Sequence, residues 1–90
     1  MSFTADPTSV LDYAFDWSAW LDDGETITAS TWKIPARISQ TTPASSIDGS
    51  LTTVWLTGGA IGHTYKIPNH ITTSAGRQED RSFDLEISDL

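Results

Sequence analysis

Residues 81–88, with the sequence RSFDLEIS, indicate the fold more clearly than any other stretch of the chain. Phe83, Leu85 and Ile87 are apolar, and the residues between and beside them are polar. A hydrophobic period of two is typical of a β-strand with one buried face and one face in water. The segment therefore predicts a strand that packs its apolar side against further structure.

Earlier segments share this character and are separated by turns that contain Asp, Gly or Pro. Residues 11–17 alternate in the same way, and residues 50–57 and 63–73 are rich in β-branched and aromatic side chains. In residues 25–34 the apolar positions change parity midway, which predicts a β-bulge or a strand that changes its partner sheet. Pro68 has no N–H to donate, so it predicts an edge, a bulge or a break in its strand.

Five or six such strands without a helical period predict an antiparallel β-sandwich over residues 11–90, with a small barrel as the alternative. Residues 36–49 are mostly polar and predict one short edge strand and a hairpin turn at Asp48-Gly49. Residues 1–10 are interpreted as an extended N-terminal arm, because Pro7 disfavours a helix just before it. We expect this arm to be disordered in the free monomer.

The composition narrows the classes of partner. The 90 residues carry a net charge of −7 with only five Lys and Arg residues, which argues against nucleic acid and anionic membranes. An acidic chain favours a basic protein surface instead. There is no cysteine, no signal-peptide pattern and no apolar run long enough to cross a bilayer, so we expect folding in a cytoplasm.

No residue pattern predicts catalysis, a metal or a cofactor. On one continuous strand, His63 and His70 would point to opposite faces roughly 23 Å apart and could not share a metal. Residues 22–25, DDGE, lack the alternating ligands of a calcium loop and are interpreted as a solvated turn. Neither a G-x-S-x-G elbow nor a cysteine nucleophile is present, so we expect a protein that is not an enzyme.

The four tryptophans carry most of the information about binding. Trp32 and Trp55 lie in mid-strand and are predicted to be core residues, and Trp17 is assigned to the core or its rim. Trp20 lies in a turn, where it is either an interface anchor or a cap over the end of the sandwich.

Several segments resemble, in sequence order, a family of small proteins of tailed bacteriophages, described as fiber-tail adaptor proteins with an immunoglobulin-like fold. The similarity runs from Asp6 to about Ile87. Its most specific pieces are Asp6-Pro7, Asp16-Trp17 with Trp20-Leu21, and Ser74-Ala75-Gly76-Arg77 before Arg81-Ser82.

This resemblance implies an immunoglobulin-like β-sandwich of about six to seven strands, without catalytic residues or cofactors. It implies a virion protein that attaches fibers to the tail or the head–tail junction, assembled in the bacterial cytoplasm in multiple copies on a symmetric ring. The implied partners are tail or connector proteins and the tail fiber, with no nucleic acid and no membrane.

The candidate contact residues are Trp20, Trp17, Leu21, Phe3 and Pro7. Two other functions stay open, a capsid decoration protein and a carbohydrate-binding module. A coplanar surface pair of Trp17 and Trp20 would favour the carbohydrate module, and burial of both would argue against it.

Overall fold

The computed structural model describes residues 2–41 and 45–89. Three parts of the predicted elements lie outside the described residues. They are Met1 of the predicted arm, residues 42–44 of the predicted edge-strand segment, and Leu90 at the end of the predicted sandwich. Within them the regular structure is entirely β-strand, in eight strands: β1 (Ser2–Ala5), β2 (Leu11–Asp16), β3 (Ile27–Trp32), β4 (Ile38–Gln40), β5 (Ser46–Asp48), β6 (Leu51–Gly58), β7 (Thr64–Thr73) and β8 (Gln78–Ile87).

The strands form two sheets. The β8 sheet has the order β1-β8-β7-β3, and the β6 sheet has the order β2-β6-β4, with β5 paired to the same strand β6. All neighbouring strands are antiparallel except β1 and β8, which are parallel. The predicted sandwich is confirmed.

Alternating side chains from both sheets form one core. The strand with the clearest sequence pattern behaves as predicted, because Phe83, Leu85 and Ile87 are each at most 2 % exposed. Opposite them, β2 and β6 contribute inward-facing residues; the largest fully buried side chains of the whole core are Trp17, Phe83, Leu56, Ile67, Ile71, Ile87 and Val54. Trp32 is partly buried and stacks on Phe15, with ring centroids 5.8 Å apart.

The predicted bulge lies in β3, where the register against β7 shifts between Ile27 and Ala29. Of the three alternatives for Pro68, the bulge and the break are wrong, because β7 pairs with β8 without interruption, but Pro68 does lie at an edge on the other side, since the pairing with β3 ends at Asn69. In an antiparallel strand the N–H and C=O of one residue point to the same neighbour. The Pro68 carbonyl accepts a hydrogen bond from the Lys33 N–H at 3.1 Å, so the missing N–H also faces this side, where β3 has ended. The proline therefore costs little sheet pairing.

The N-terminal segment is extended as expected, but it is a strand of the sandwich. β1 pairs with residues 84–87 of β8, and Ala5 is buried. The Phe3 ring lies edge-on to Tyr13 and to Phe83, with both pairs of centroids 5.3 Å apart. The segment therefore belongs to the sandwich and is not a separate arm, because Phe3 covers one side of the core.

The β6 sheet corrects two further predictions. Residues 36–49 contribute two short strands, β4 and β5, that pair with different halves of the same edge of β6. The turn at Gly49 is a two-residue hairpin, and its φ of 61° suits a glycine. Trp55 is not a core residue, because Thr52, Val54 and Leu56 face inward and Trp55 therefore lies on the outer face.

Candidate protein-binding surfaces

The structure is elongated, with extents of 43 × 23 × 20 Å, and its two ends differ in character. At one end, residues 17–26 and 73–77 form the tryptophan end. Here the chain leaves β2 in a helical turn, in which the N–H groups of Trp20 and Leu21 both donate to the Trp17 carbonyl, at 2.9 and 3.1 Å. This turn places Trp20 against the indole of Trp17, with ring centroids 5.7 Å apart.

Arg77 joins the two loops of the tryptophan end. Its guanidinium lies 4.1 Å from the Trp20 ring centroid and donates to the Trp20 carbonyl at 3.3 Å. It also donates to both carboxylate oxygens of Glu25, through Nε at 2.9 Å and through Nη2. The second loop is therefore fixed over the first by a bidentate ion pair and a cation–π contact.

Glu25 is the buried partner of this ion pair, with its side chain only 3 % exposed. Its carboxylate also accepts hydrogen bonds from the Thr73 hydroxyl and from the Asp22 N–H. The hydrogen bonds from Arg77, Thr73 and Asp22 lower the pKa of Glu25 from 4.5 to about 2. The carboxylate therefore stays ionised in its pocket across the neutral and mildly acidic range.

Because the pKa of Glu25 is lower in the folded than in the unfolded chain, its contribution to stability is complete above pH about 4.5 and is lost as the pH falls toward about 2. We expect Glu25→Gln to lower the urea midpoint strongly at neutral pH. The gap from wild type should narrow below pH about 4.5. Asp22→Asn is the control, because the Asp22 carboxylate is 3.8 Å from Arg77 and largely exposed. A gap that is the same at every pH would contradict this assignment.

Arg81 makes the matching contact on the neighbouring tryptophan. Its guanidinium lies 4.3 Å from the Trp17 ring centroid and donates to the Asp16 carbonyl at 3.2 Å. The Asp16 carboxylate accepts from the Ser18 N–H at 2.9 Å, and this contact lowers its pKa. The sequence pieces around Trp17, Trp20, Arg77 and Arg81 therefore meet at one end of the sandwich.

The candidate residues of the tryptophan end differ in accessibility. Trp17 is fully buried, so its side chain belongs to the core and cannot touch a partner in this conformation. Trp20 and Leu21 are partly buried against the core and keep an exposed part. The two indoles meet at 70° with only one of them accessible, so no flat aromatic pair exists for a sugar ring. This geometry argues against the carbohydrate-binding alternative.

Trp17 also starts a buried polar chain that joins the two sheets. Its indole N–H donates to the Thr52 hydroxyl at 3.1 Å, and that hydroxyl donates to Asn69 Oδ1 at 2.7 Å. The Asn69 amide donates to Ser30 Oγ and to the Thr31 carbonyl, at 2.9 and 3.0 Å. Thr52 and Asn69 are fully buried, and their polar groups are satisfied by these bonds.

The opposite end has exposed apolar side chains that were not among the residues predicted to make contacts. Val10, Leu11 and Ile61, here called the apolar end, are 52 %, 42 % and 58 % exposed. They lie at one end of the sandwich because Leu11 pairs with Leu56 near the end of β6, and Ile61 lies in the loop that follows β6. The sequence signal was an isoleucine inside the glycine-rich turn GGAIG, a position where burial is rare.

The two remaining contact candidates are Pro7, which lies near the apolar end, and Phe3, which lies in β1. Pro7 is partly exposed in the turn between β1 and β2, where the Thr8 N–H donates to Asp6 Oδ1 at 2.9 Å. Phe3 is partly buried by its contacts with Tyr13 and Phe83. The structure therefore brings Trp17, Trp20 and Leu21 together and leaves Phe3 and Pro7 apart from them.

The two histidines do not belong to a metal site among the described residues. His70 lies between Asp80 and Gln78, with its ring nitrogens 2.7 and 2.9 Å from their side-chain oxygens, and these contacts raise its pKa. In residues 2–41 and 45–89, no three His, Asp or Glu side chains converge as metal ligands would. The same residues include no helix that could cross a lipid bilayer.

The comparisons with known proteins agree with this architecture. The sequence matches none of the curated proteins significantly. The solution structure of the PKD domain from KIAA 1837 protein superposes with a TM-score of 0.55 at 18 % identity, over 98 % of this chain and 78 % of that one. A PKD domain is immunoglobulin-like, so the predicted immunoglobulin-like sandwich is confirmed. The family model of the podophage GP4 fiber-tail adaptor protein gp77 matches residues 5–86. The chain therefore belongs to this family of podophage fiber-tail adaptor proteins.

Proposed function

We propose that this protein attaches tail fibers to the phage tail through protein–protein contacts and without catalysis. The observation that carries the proposal is the family match over residues 5–86, since the family is one of virion adaptors. The proposal includes copies arranged around the symmetric tail and assembly in the bacterial cytoplasm. Repeated copies gain avidity, so each contact can be weak by itself.

An adaptor must bind two partners at once, and the sandwich has two distinct ends. The apolar end presents Val10, Leu11 and Ile61 to solvent, and exposed aliphatic clusters favour protein partners. The tryptophan end presents part of Trp20 and Leu21 on loops that the Arg77–Glu25 ion pair holds in place. Loops already fixed before binding lose little conformational entropy on docking. We assign the two ends to different partners, and Pro7 belongs with the apolar end.

The test uses virions assembled with a variant chain in place of the natural one. Val10→Asp with Ile61→Asp places two charges on the apolar end. A buried anchor contributes about 2 kcal/mol or more, so we expect contact at this end to weaken by roughly 30-fold or more. Immunogold labelling of this chain and fiber counts by electron microscopy give the readout. Ala14→Asp is the control, because Ala14 is exposed on the outer face in the middle of β2, away from both ends.

The outcomes separate the two ends. If the variant chain is no longer labelled on the tail, the apolar end binds the tail. If the variant chain is labelled on the tail but the fibers are missing, the apolar end binds the fiber. Normal fibered tails for this variant would contradict the assignment of the apolar end. Label over the capsid would replace the adaptor proposal with a capsid decoration protein.

Trp20→Ala tests the tryptophan end in the same virions. We expect the free domain to stay folded, since Trp20 is only partly buried, while fiber attachment falls. Thermal unfolding of the purified domain is the control. Outright unfolding would show that Trp20 is a structural cap and would remove it from the contact surface.

A further inference from the structure

The outer face of the β8 sheet holds a groove that none of the preceding assignments uses. It has a volume of about 720 Å³, within the range of roughly 300–1,000 Å³ of ligand sites, and it is open to solvent. Residues of β7 and β8 and the end of β3 line it: Thr31, Lys33, Lys66, Pro68, His70, Asp80, Arg81 and Ser82. Pro68 and Ser82 pair across the strands and are short, whereas the lysines are long, which explains the hollow.

The charge of this groove is opposite to that of the chain. The protein has a net charge of −7 and only five Lys and Arg residues, yet three of them, Lys33, Lys66 and Arg81, line the groove. Asp80 is the one carboxylate among the lining residues, and it is hydrogen-bonded to His70 at 2.7 Å. Among the described residues, neither Lys33 nor Lys66 forms an ion pair, although Asp84 lies across the strand from Lys66.

Two exposed ammonium groups without ion-pair partners beside a hollow favour a negatively charged occupant. Arg81 is less available, because its guanidinium covers the Trp17 ring and donates to the Asp16 carbonyl. The Ser82 hydroxyl lies in the same lining and can donate to a carboxylate oxygen, whereas the Thr31 hydroxyl already donates to the His70 carbonyl at 3.5 Å. The groove thus offers both charge and hydrogen-bond donors.

We propose that this groove binds an acidic segment of a partner protein, with Lys33 and Lys66 as the residues that contact its carboxylates. The proposal rests on the proposed function, because it gives the chemistry of one partner surface. The occupant is a protein segment, since a nucleic acid needs a long basic track. Here Asp80 lies within the groove and Asp84 lies across the strand from Lys66, so the two lysines do not form such a track.

The experiment follows the backbone amide signals of the whole domain by NMR during titration with a ten-residue glutamate peptide at low salt. We expect shifts confined to the groove residues and a dissociation constant that rises with salt. Lys33→Gln with Lys66→Gln should weaken binding about five- to tenfold, as expected for the loss of two exposed ion pairs. Arg37→Gln is the matched control, because Arg37 is exposed and lies outside the groove.

Each result decides for or against the groove. Shifts spread over the surface, or equal weakening by Arg37→Gln, would mean that the peptide recognises charge without a site and would overturn the proposal. Tighter binding of a ten-nucleotide thymidine strand at the same residues would overturn it in favour of nucleic acid. These outcomes do not depend on tail assembly, so the adaptor function can hold while the groove proposal fails.

Discussion

Replacement of Asn69 by leucine is expected to lower the free energy of unfolding by about 2–4 kcal/mol, because the buried Thr52 hydroxyl loses its partner at roughly 1–3 kcal/mol and the partly buried bond to the Thr31 carbonyl adds about 1 kcal/mol. The Thr52 hydroxyl loses its acceptor, and the Thr31 carbonyl loses its donor. Leucine has nearly the shape of asparagine, so no cavity adds to the effect. Urea unfolding followed by tryptophan fluorescence measures the change, and an unchanged m-value would show that only stability was altered.

A second variant separates lost hydrogen bonds from lost packing. Thr52→Val removes the other side of the Thr52–Asn69 bond and keeps the volume of the side chain. The double variant Thr52→Val with Asn69→Leu should be less destabilised than the sum of the single changes, since both sides of the Thr52–Asn69 bond are then removed, while the Trp17 indole N–H loses its acceptor equally in Thr52→Val and in the double variant. Exact additivity, or a loss below about 1 kcal/mol for Asn69→Leu, would show that water or rearrangement satisfies these groups.

The second large effect is expected at Gly59, in the loop after β6. Its φ is +95°, and an added Cβ would lie 2.5 Å from Ile87 Cγ1 and 3.0 Å from Ile38 Cδ1. We expect Gly59→Ala to cost about 2–5 kcal/mol, as backbone strain of roughly 1–2 kcal/mol adds to overpacking of roughly 1–3 kcal/mol. Thermal and urea unfolding of the purified variant give the measurement.

Gly62 provides the matched control within the same loop. Its φ is +87°, but an added Cβ would meet nothing within 4 Å. Gly62→Ala should therefore show the backbone strain alone and should be clearly milder than Gly59→Ala. Equal losses in the two variants would mean that Ile87 moves aside without cost.

Local sequence predicts the strands well where only one face is apolar, as in residues 81–88. It fails where both faces carry apolar residues. In β6, Val54 and Leu56 lie on one face of the strand and Trp55 on the other, so either face could be the buried one. The large indole favours burial of the Trp55 face, but the structure buries Val54 and Leu56. The choice is made by register, since Tyr13 pairs with Val54 and Leu11 with Leu56. Such pairing joins residues more than 40 positions apart, which no local pattern contains.

The candidate surfaces also depend on contacts between residues that are far apart in the sequence. A tryptophan in a turn pointed to the tryptophan end, but the position of Arg77 over Trp20 depends on the β7–β8 turn, 57 residues away. Val10 and Ile61 are brought to the same end of the sandwich only when β2 pairs with β6. Lys33 and Lys66 look unrelated in sequence until β3 pairs with β7. Which of the three alternatives for Pro68 holds depends on where the neighbouring strand β3 ends.

The parallel pairing of β1 with β8 has a kinetic meaning. Ser2 pairs with Asp84, so β1 cannot join its sheet until β8 has been synthesised and has folded. A ribosome releases residues from the N-terminus onward, and contacts of such long span impose a large loop-closure entropy and slow folding. Most native contacts here are long-range, and the β8 sheet cannot form before β7 and β8 have been synthesised. The adaptor is therefore expected to become competent for assembly in a single late, cooperative step after synthesis of β8.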